Sequence, residues 1–228
     1  DWSFNVLSIP FFFESYDELN AVLDTLTPVY QQRLLAKGFV LVNWGHGGWL
    51  QVFSKRPLQS VADLKAAKLY TSAGDDRLTQ WYKANGYHPR AMAMTDILTG
   101  LSTGMIEALP TPPLAALAFQ WHKQAPHMLE IGLAPLVGAT VVSKATWDRI
   151  QPADRTILVQ IAARAETQLK TDVPKQDALA VVLMSHQGLQ VTKASGPEWR
   201  REAEVLAKTM RGQMVPSDVF DLALKERD

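Results

Sequence analysis

The sequence predicts an α/β fold with a largely parallel sheet, and three observations favour this class. Short apolar, β-branched segments alternate along the chain with segments of helical periodicity. A glycine-rich segment at residues 45–48 separates two strand-like runs, and such glycines let another group approach the backbone closely. A helical pattern that is longer than one small domain begins near Pro152. Together these features are typical of two lobes that face a cleft.

Composition excludes several classes of protein. The 228 residues are 47% hydrophobic and 20% charged, which is typical of a globular chain. Equal numbers of basic and acidic residues, 23 each, argue against nucleic acid or an anionic membrane as the main partner. No cysteine is present, which excludes disulfides, thiolate metal sites and cysteine nucleophiles. The chain is apolar almost from its first residue, so we expect further residues to precede Asp1 in the whole protein. The sequence given contains no signal-peptide pattern.

The first third predicts a long helix followed by a pair of strands. Ser15 and Glu18 form a capping box that starts the helix, Pro28 restarts it, and Gly38 ends it. The following elements are predicted as strands at residues 39–44 and 49–53, a helix at 60–67 and a strand at 68–71.

The middle third continues the alternation of helices and strands. Asn85-Gly86 and Gly104 are predicted helix ends, and the proline-rich turn at residues 110–113 has few backbone donors. The predicted elements are helices at residues 75–84, 95–104 and 114–123 and strands at 90–94, 105–109 and 133–143, the last broken by Pro135 and Gly138.

The longest predicted helix runs from Pro152 towards Leu189. Apolar residues recur there every four positions, as at Ile157 and Ile161. If continuous, it spans about 38 residues, or about 57 Å at 1.5 Å per residue. Pro174 should kink it, and two helices that meet at Pro174 are the alternative. A strand at 189–192 and helices at 197–211 and 217–225 follow.

Two fragments imitate an α/β-hydrolase. The glycine-rich segment follows a strand, as an oxyanion-hole loop would, and residues 100–104 match the G-x-S-x-G pattern around Ser102. A nucleophile elbow needs a strand before the serine and a helix after it, whereas the pattern here predicts the reverse order. His122, His127 or His186 would have to act as the base. A serine esterase-like hydrolase that uses Ser102 is therefore the alternative function.

No other segment of the sequence predicts a metal site, a nucleotide-binding motif or a catalytic group. His122 and His127 are five residues apart, a spacing that does not place both on one helical face, and no acidic cluster joins them. No P-loop or dinucleotide fingerprint is present. We therefore predict no catalytic group, no metal site and no cofactor.

Several segments, taken in order, resemble the solute-binding subunits of tripartite ATP-independent periplasmic (TRAP) transporters, the DctP family. The order and spacing of these segments carry the resemblance, because no single motif is highly specific. The segments are residues 5–23 around Ile9-Pro10-Phe11, residues 57–69 around Asp63-Leu64-Lys65, residues 95–108, and residues 147–150 followed by the long helix.

The resemblance implies a non-enzymatic, two-lobed periplasmic-binding-protein-like fold with a central cleft, crossing strands and one long helix spanning both lobes. Lobe I would comprise residues 1–46 and 136–175, without its N-terminal part, which is about the first quarter of a family member. Lobe II would comprise residues 47–135 and 176–228. The implied location is periplasmic, after export. The implied partners are a small-molecule ligand and membrane transporter subunits, and a further candidate is an accessory protein or a second copy.

At the positions where members of this family carry polar ligand-binding residues, this sequence has other residue types. Counted from the matching segments, the two usual arginine positions fall at Tyr70 and Leu50, and an asparagine position falls near Thr111. Because a bidentate arginine clamp is the natural reader of a carboxylate, its loss predicts a largely hydrophobic or aromatic ligand. Aromatic and methionine side chains form adaptable apolar pockets. The predicted ligand-binding residues are Phe11, Trp44, Trp49, Leu50, Tyr70, Met94, Leu109 and Thr111.

Overall fold

The computed structural model describes residues 1–227 and contains nine α-helices and six strands in that part of the chain. The helices are α1 (Tyr16–Ala36), α2 (Val61–Ala66), α3 (Asp76–Ala84), α4 (Ile97–Thr103), α5 (Pro113–Ala118), α6 (Lys144–Arg149), α7 (Pro152–His186), α8 (Pro197–Met210) and α9 (Ser217–Arg227). The strands are β1 (Phe39–Ser54), β2 (Lys68–Ser72), β3 (His88–Met92), β4 (Ala108–Thr111), β5 (His127–Ser143) and β6 (Gln190–Lys193). Short 3-10 helices occupy Trp2–Ser8, Met94–Asp96 and Trp121–Lys123.

The six strands form one mixed sheet in the order β3-β2-β4-β1-β5-β6. Strand β1 is antiparallel to β4 and β5, whereas β2 is parallel to β3 and β4, and β6 is parallel to β5. Five strands therefore run in one direction, and β1 alone runs against them. The predicted α/β class is confirmed.

Hydrophobic residues cover both faces of this sheet. Successive strand residues point to opposite faces, so Val52 and Phe53 belong to two different core clusters. The cluster around Val52 includes the fully buried Tyr30 of α1 and Leu206 of α8, and the cluster around Phe53 includes Met184 of α7. Helices therefore lie on both sides of the strands, as in other α/β folds.

Strands β1 and β5 extend beyond the sheet as a two-stranded antiparallel ribbon. Their pairing runs from Phe39↔Ser143 to Ser54↔His127, so neither the glycine-rich segment nor Pro135 and Gly138 end a strand. The predicted breaks are wrong because the glycines fit a bulged ladder: a side chain on Gly47 would overlap Leu136, and the register shifts between His46 and Trp49.

Helices α1 and α7 are also continuous where the sequence predicted interruption. Helix α1 passes through Pro28, so the predicted restart is wrong, since the helix simply absorbs one missing donor. Helix α7 has 35 residues with Pro174 inside it, so the alternative of two separate helices is wrong as well. It contacts β1 at both ends of the ribbon, through Asn43 Nδ2 donating to Ala162 O and through Asp177. Among the described residues, no helix has the length and apolar character that crossing a membrane requires.

Candidate ligand-binding site

The site lies where the ribbon leaves the sheet. Four of the five strands that share a direction, β2, β3, β4 and β6, have their carboxyl ends at this edge, where β5 continues into the ribbon. Open α/β sheets bind ligands outside such ends. A cavity of about 520 Å³ opens there between the ribbon and α8. Its aromatic walls are Phe11, Phe13, Trp49 and Trp199, and its polar walls are Glu14, Gln51, Glu130 and Arg200.

A second cavity of about 220 Å³ lies against the same strand residues. Trp49, Gln51 and Glu130 line both cavities, so they form the partition between them. Apart from Met128 of β5, the rest of the second cavity's wall consists of residues of α1, α5 and α7, among them Tyr16 and Asp177. The long helix therefore reaches the candidate site directly.

The side chain of Gln51 shapes the floor of the site. Its Oε1 accepts hydrogen bonds from the backbone N–H groups of Ile131 at 2.8 Å and Gly132 at 2.9 Å. Gly132 has φ of 59°, a left-handed conformation that favours glycine. Because the oxygen accepts two hydrogen bonds, the amide nitrogen is the remaining polar group of this side chain.

Asp177 connects α7 to the candidate site through hydrogen bonds to backbone N–H groups. Its carboxylate accepts hydrogen bonds from the backbone N–H groups of Trp49 at 3.3 Å and Leu114 at 2.9 Å. Burial raises the pKa of this carboxyl, and the two backbone hydrogen bonds lower it by less. Gly48, at φ 101°, permits this approach, because a Cβ there would collide with Asp177 Oδ2.

Phe11 holds a strained backbone conformation at the cavity wall. Its φ is 60°, a conformation that is a genuine outlier for a bulky side chain. The backbone N–H of Phe11 donates to Leu133 O at 2.6 Å, which fixes the segment against β5. Strain of this kind persists only where the surrounding structure imposes it, and it clusters at ligand sites.

Two of the eight predicted ligand-binding residues, Phe11 and Trp49, line the cavity. Leu50 lies next to Trp49, half-buried against the same core cluster. Thr111 is buried and pairs with Gln51 across the ladder between β1 and β4. These four residues lie at the same edge of the sheet.

The other four predicted residues lie elsewhere. Trp44 is buried in the core beside α1, and its Nε1 donates to Thr27 Oγ1 at 2.9 Å. Leu109 is buried in the cluster on the opposite face of the sheet, and Tyr70 packs against that cluster. Met94 is 57% exposed. Local sequence places these side chains near strand ends but does not say which face of the sheet each one covers.

Sequence reasoning missed the contributions of Gln51, Glu130, Asp177, Trp199 and Arg200. Trp199 lies at the start of an amphipathic helix, where a large apolar residue is typical of ordinary core. Asp177 interrupts an apolar face of α7, and a buried acidic residue within such a repeat is the one signal that could have revealed its role.

Among residues 1–227, Ser102 has no hydrogen bond to a histidine that could act as its base, as a serine hydrolase would require. Ser102 is exposed at the end of α4, and its Oγ donates to Thr99 O at 3.0 Å. The ring of His122 is buried and engaged by Gln187 Oε1 and Ala116 O. Within the described part of the chain, no group of three or more His, Cys, Asp or Glu residues could hold a metal ion.

The sheet, the cavity at its carboxyl edge, the two-stranded ribbon and the long helix together form a candidate ligand-binding site. Residues 2–213 match the family described as bacterial extracellular solute-binding protein, family 7, and the chain belongs to that family. The resemblance to the DctP family and the expectation of a non-enzymatic protein are thereby confirmed, and the hydrolase alternative is not favoured.

Curated relatives match at low identity. The chain is 25% identical over 190 residues to a solute-binding protein of Verminephrobacter eiseniae, covering 82% of this chain and 56% of the relative. It is 26% identical over 192 residues to the 2,3-diketo-L-gulonate-binding periplasmic protein of Escherichia coli, covering 82% and 57%. The chain thus spans little more than half the length of these relatives.

Solved structures show the same fold. A TRAP periplasmic solute-binding protein from Ralstonia eutropha, with bound (S)-2-acetolactate, superposes with a TM-score of 0.89 at 23% identity, covering 99% of this chain and 74% of that one. A pyroglutamic acid-binding receptor from Bordetella pertussis superposes with a TM-score of 0.86 at 20% identity, covering 100% and 75%. The predicted two-lobed binding-protein fold class is confirmed by this likeness.

Proposed function

We propose that this chain is part of the extracytoplasmic solute-binding subunit of a TRAP-type secondary transporter. It captures a small molecule in the periplasm and delivers it to membrane transporter subunits. The observation that carries the proposal is the cavity at the carboxyl edge of the sheet, with Phe11 and Trp49 in its wall. The backbone strain at Phe11 supports a ligand site there, since strained residues cluster at such sites.

The ligand of this proposal is largely hydrophobic or aromatic. Structural neighbours hold sugar acids, such as L-gulonate and β-D-galacturonate, but the wall of this cavity carries two carboxylates, Glu14 and Glu130, against the single guanidinium of Arg200. The counted arginine positions hold Leu50 and Tyr70. This charge balance disfavours a small carboxylate, and the aromatic walls favour apolar contact.

We also propose that the lobes divide as the sequence suggests, at residues 46/47, 135/136 and 175/176. The division is supported by two irregularities at those positions. The ladder between β1 and β5 shifts its register between His46↔Val137 and Trp49↔Pro135, and Pro174 removes a hydrogen bond from α7. Ligand binding closes the lobes around these points.

A further partner, either an accessory protein or a second copy, remains a prediction. It is supported by exposed apolar side chains on the ribbon and on the first half of α7. Among them are Val141, Ile157 and Ile161, which are 43%, 53% and 56% exposed.

Native mass spectrometry of the purified protein, followed by calorimetric titration, tests the proposal. We expect a co-purified apolar or aromatic molecule whose affinity is nearly the same at low and high salt, because no ion pair is screened. Trp49→Ala should weaken its binding more than tenfold, since the loss of such a wall costs about 2 kcal/mol.

The matched control is Trp147→Ala, a change of the same type on the exposed helix α6, which should leave affinity unchanged. Tyr70→Arg should not create a carboxylate site, because the new cation would lie unpaired against apolar contacts. Tight, salt-sensitive binding of a small carboxylate by the wild type would contradict the proposed ligand class.

A further inference from the structure

Two carboxylates are buried among residues 1–227, and only one of them has a cation beside it. Glu202 is 9% exposed and pairs with Lys65 Nζ at 2.9 Å. Asp177 is 8% exposed, and no lysine, arginine or histidine of the described chain lies within ion-pair distance of it. Its two backbone hydrogen bonds use its oxygens as acceptors but supply no counterion. Because buried charges in proteins are normally paired, this charge calls for an explanation.

Asp177 lines the second, smaller cavity of the candidate site, and the charged residues of that wall are acidic. They are Asp177 and Glu130, and no basic residue of the described chain lines this cavity. Glu130 pairs with Lys193 at 3.7 Å, but the Lys193 side chain is 83% exposed, and such surface pairs are weak. Burial raises the pKa of Tyr16, another residue of the wall, to about 12, and the charge of Asp177 contributes to this rise. The field of Asp177 therefore reaches other groups of the wall and favours a cation there.

Two aromatic rings of the same wall also lack a cation. Tyr16 and Trp49 both line the second cavity and pack edge to face, with ring centroids 5.0 Å apart and planes at 90°. Four other aromatic rings among residues 1–227 have a lysine or arginine within 6.0 Å of the centroid, whereas neither ring of this pair does. Aromatic faces attract cations, and cages of several rings are a common way to bind ammonium groups.

From these observations we infer that the second cavity binds an ammonium group of the ligand, with Asp177 as its counterion and Tyr16 and Trp49 as its aromatic walls. The inference rests on the proposed function and narrows its ligand to an amine with an apolar or aromatic body. The cavity of about 220 Å³ has room for such a group, since about 150 Å³ suffices for benzene. Trp49 lines the larger cavity as well, so the apolar body lies along this ring.

A cationic ligand agrees with the weak salt dependence expected for the proposed function. The carboxyl of Asp177 is buried, and salt screens a buried or partly buried pair much less than an exposed one. The amine also agrees with the charge balance of the larger cavity, where two carboxylates, Glu14 and Glu130, face the single guanidinium of Arg200.

Three probes of similar size and shape test the inference by calorimetry at pH 7: phenethylamine, 2-phenylethanol and 3-phenylpropanoate. They share a phenyl ring on a two-carbon chain and end in an ammonium, a hydroxyl and a carboxylate group, respectively. We expect the wild type to bind phenethylamine about tenfold more tightly than 2-phenylethanol, because the ammonium adds a charge-assisted contact. It should bind 3-phenylpropanoate most weakly.

Asp177→Asn removes the charge but keeps the size of the side chain and one acceptor oxygen. It should bind phenethylamine no more tightly than 2-phenylethanol. Asp172→Asn is the matched control, because it removes the same charge from the same helix at a residue that lines neither cavity. This control should keep the tenfold preference for the amine.

A pH titration of the wild type tests the same point without a substitution that weakens the fold. Phenethylamine stays protonated and Tyr16, with its pKa of about 12, stays neutral as the pH falls. Asp177, whose pKa is raised by burial, gains a proton, as does the other acidic group of the wall, Glu130. The preference for phenethylamine should therefore shrink from pH 7 towards pH 4, while the affinity for 2-phenylethanol stays constant.

Equal affinities of the wild type for phenethylamine and 2-phenylethanol would overturn the inference while the proposed function stands. A preference for the amine that survives both in Asp177→Asn and at pH 4 would overturn the assignment of Asp177 as the counterion. Tightest binding of 3-phenylpropanoate would overturn the inference and the proposed ligand class together. If none of the three probes binds, the inference fails, and native mass spectrometry decides the proposed function separately.

Discussion

Asp177 is the residue whose removal tests most directly how α7 is joined to the candidate site. In Asp177→Ala, the backbone N–H groups of Trp49 and Leu114 lose their acceptor while they remain partly enclosed. The substitution changes no residue of the cavity floor formed by Gln51. We therefore expect loss of stability and looser attachment of β1 and α5 to the helix.

The size of the effect follows from the two lost hydrogen bonds. Each buried N–H left unpaired costs about 1–3 kcal/mol. Removing a buried carboxylate recovers part of that cost, and alanine is the better helix former by about 0.5 kcal/mol. The net expectation is a decrease of about 2 kcal/mol in the free energy of unfolding, measured by urea denaturation with an unchanged m-value.

The pH dependence has a defined sign. Because burial raises the pKa of the Asp177 carboxyl in the folded state, its contribution is fully present below the unfolded pKa, near pH 4, and is lost as pH rises through the folded pKa. The cost of Asp177→Ala should therefore be largest near pH 4 and smaller at neutral pH.

Asp172→Ala is the control on the same helix, because Asp172 makes no hydrogen bond or ion pair among the described residues. It should change stability by less than about 0.5 kcal/mol. A cost of Asp177→Ala that matches this control would refute the acceptor role of the Asp177 carboxyl. A cost that grows as pH rises would refute the raised pKa of this group.

Three further predictions concern residues around β1 and α7. Trp44→Phe should lower the free energy of unfolding by about 1 kcal/mol in urea titrations, since it loses the bond to Thr27, yet leave ligand affinity unchanged in calorimetry. Gly48→Ala should lower the thermal midpoint measured by circular dichroism, because positive φ and the collision with Asp177 together cost at least about 2 kcal/mol. Pro174→Ala should stabilise α7 by up to about 3 kcal/mol in urea and reduce the change in radius of gyration on ligand binding, measured by small-angle scattering.

Periodicity predicted the helices better than it predicted the ribbon. The four-residue repeat around Ile157 and Ile161 is a local signal. The helix continues across Pro174 because one missing donor does not end a helix whose following turns are buried at Asp177, Ala180 and Met184. The continuity of β1 depends instead on β5, more than eighty residues away in sequence at Gly45↔Gly138. A local reading of three glycines predicts a break, whereas pairing with a distant strand turns the same residues into a bulge.

The candidate site shows the same division between local and long-range information. Phe11 and Trp49 are predicted from their aromatic character in or beside segments that resemble the DctP family, and both line the cavity. Trp199 could not be distinguished from core, because its position on the apolar face of α8 fits Leu206 equally well. What separates the two side chains is the absence of a partner for one indole N–H, which appears only once the helix is packed against the ribbon.

The register shift in the middle of β1 lies close to the Asp177 contact of α7, so bending of the ribbon and bending of the helix affect each other. A two-stranded ribbon bends most easily where its ladder is interrupted, and the interruption lies between His46 and Trp49. Helix α7 bends most easily where Pro174 removes a hydrogen bond, and Asp177 ties the next turn of that helix to Trp49. Bending of the ribbon and of the helix is therefore coupled through one carboxylate, which lines the smaller of the two cavities at the candidate site. A ligand that fixes the Trp49 ring would restrict both bends at once, which is how occupancy of the site could be converted into closure of the lobes.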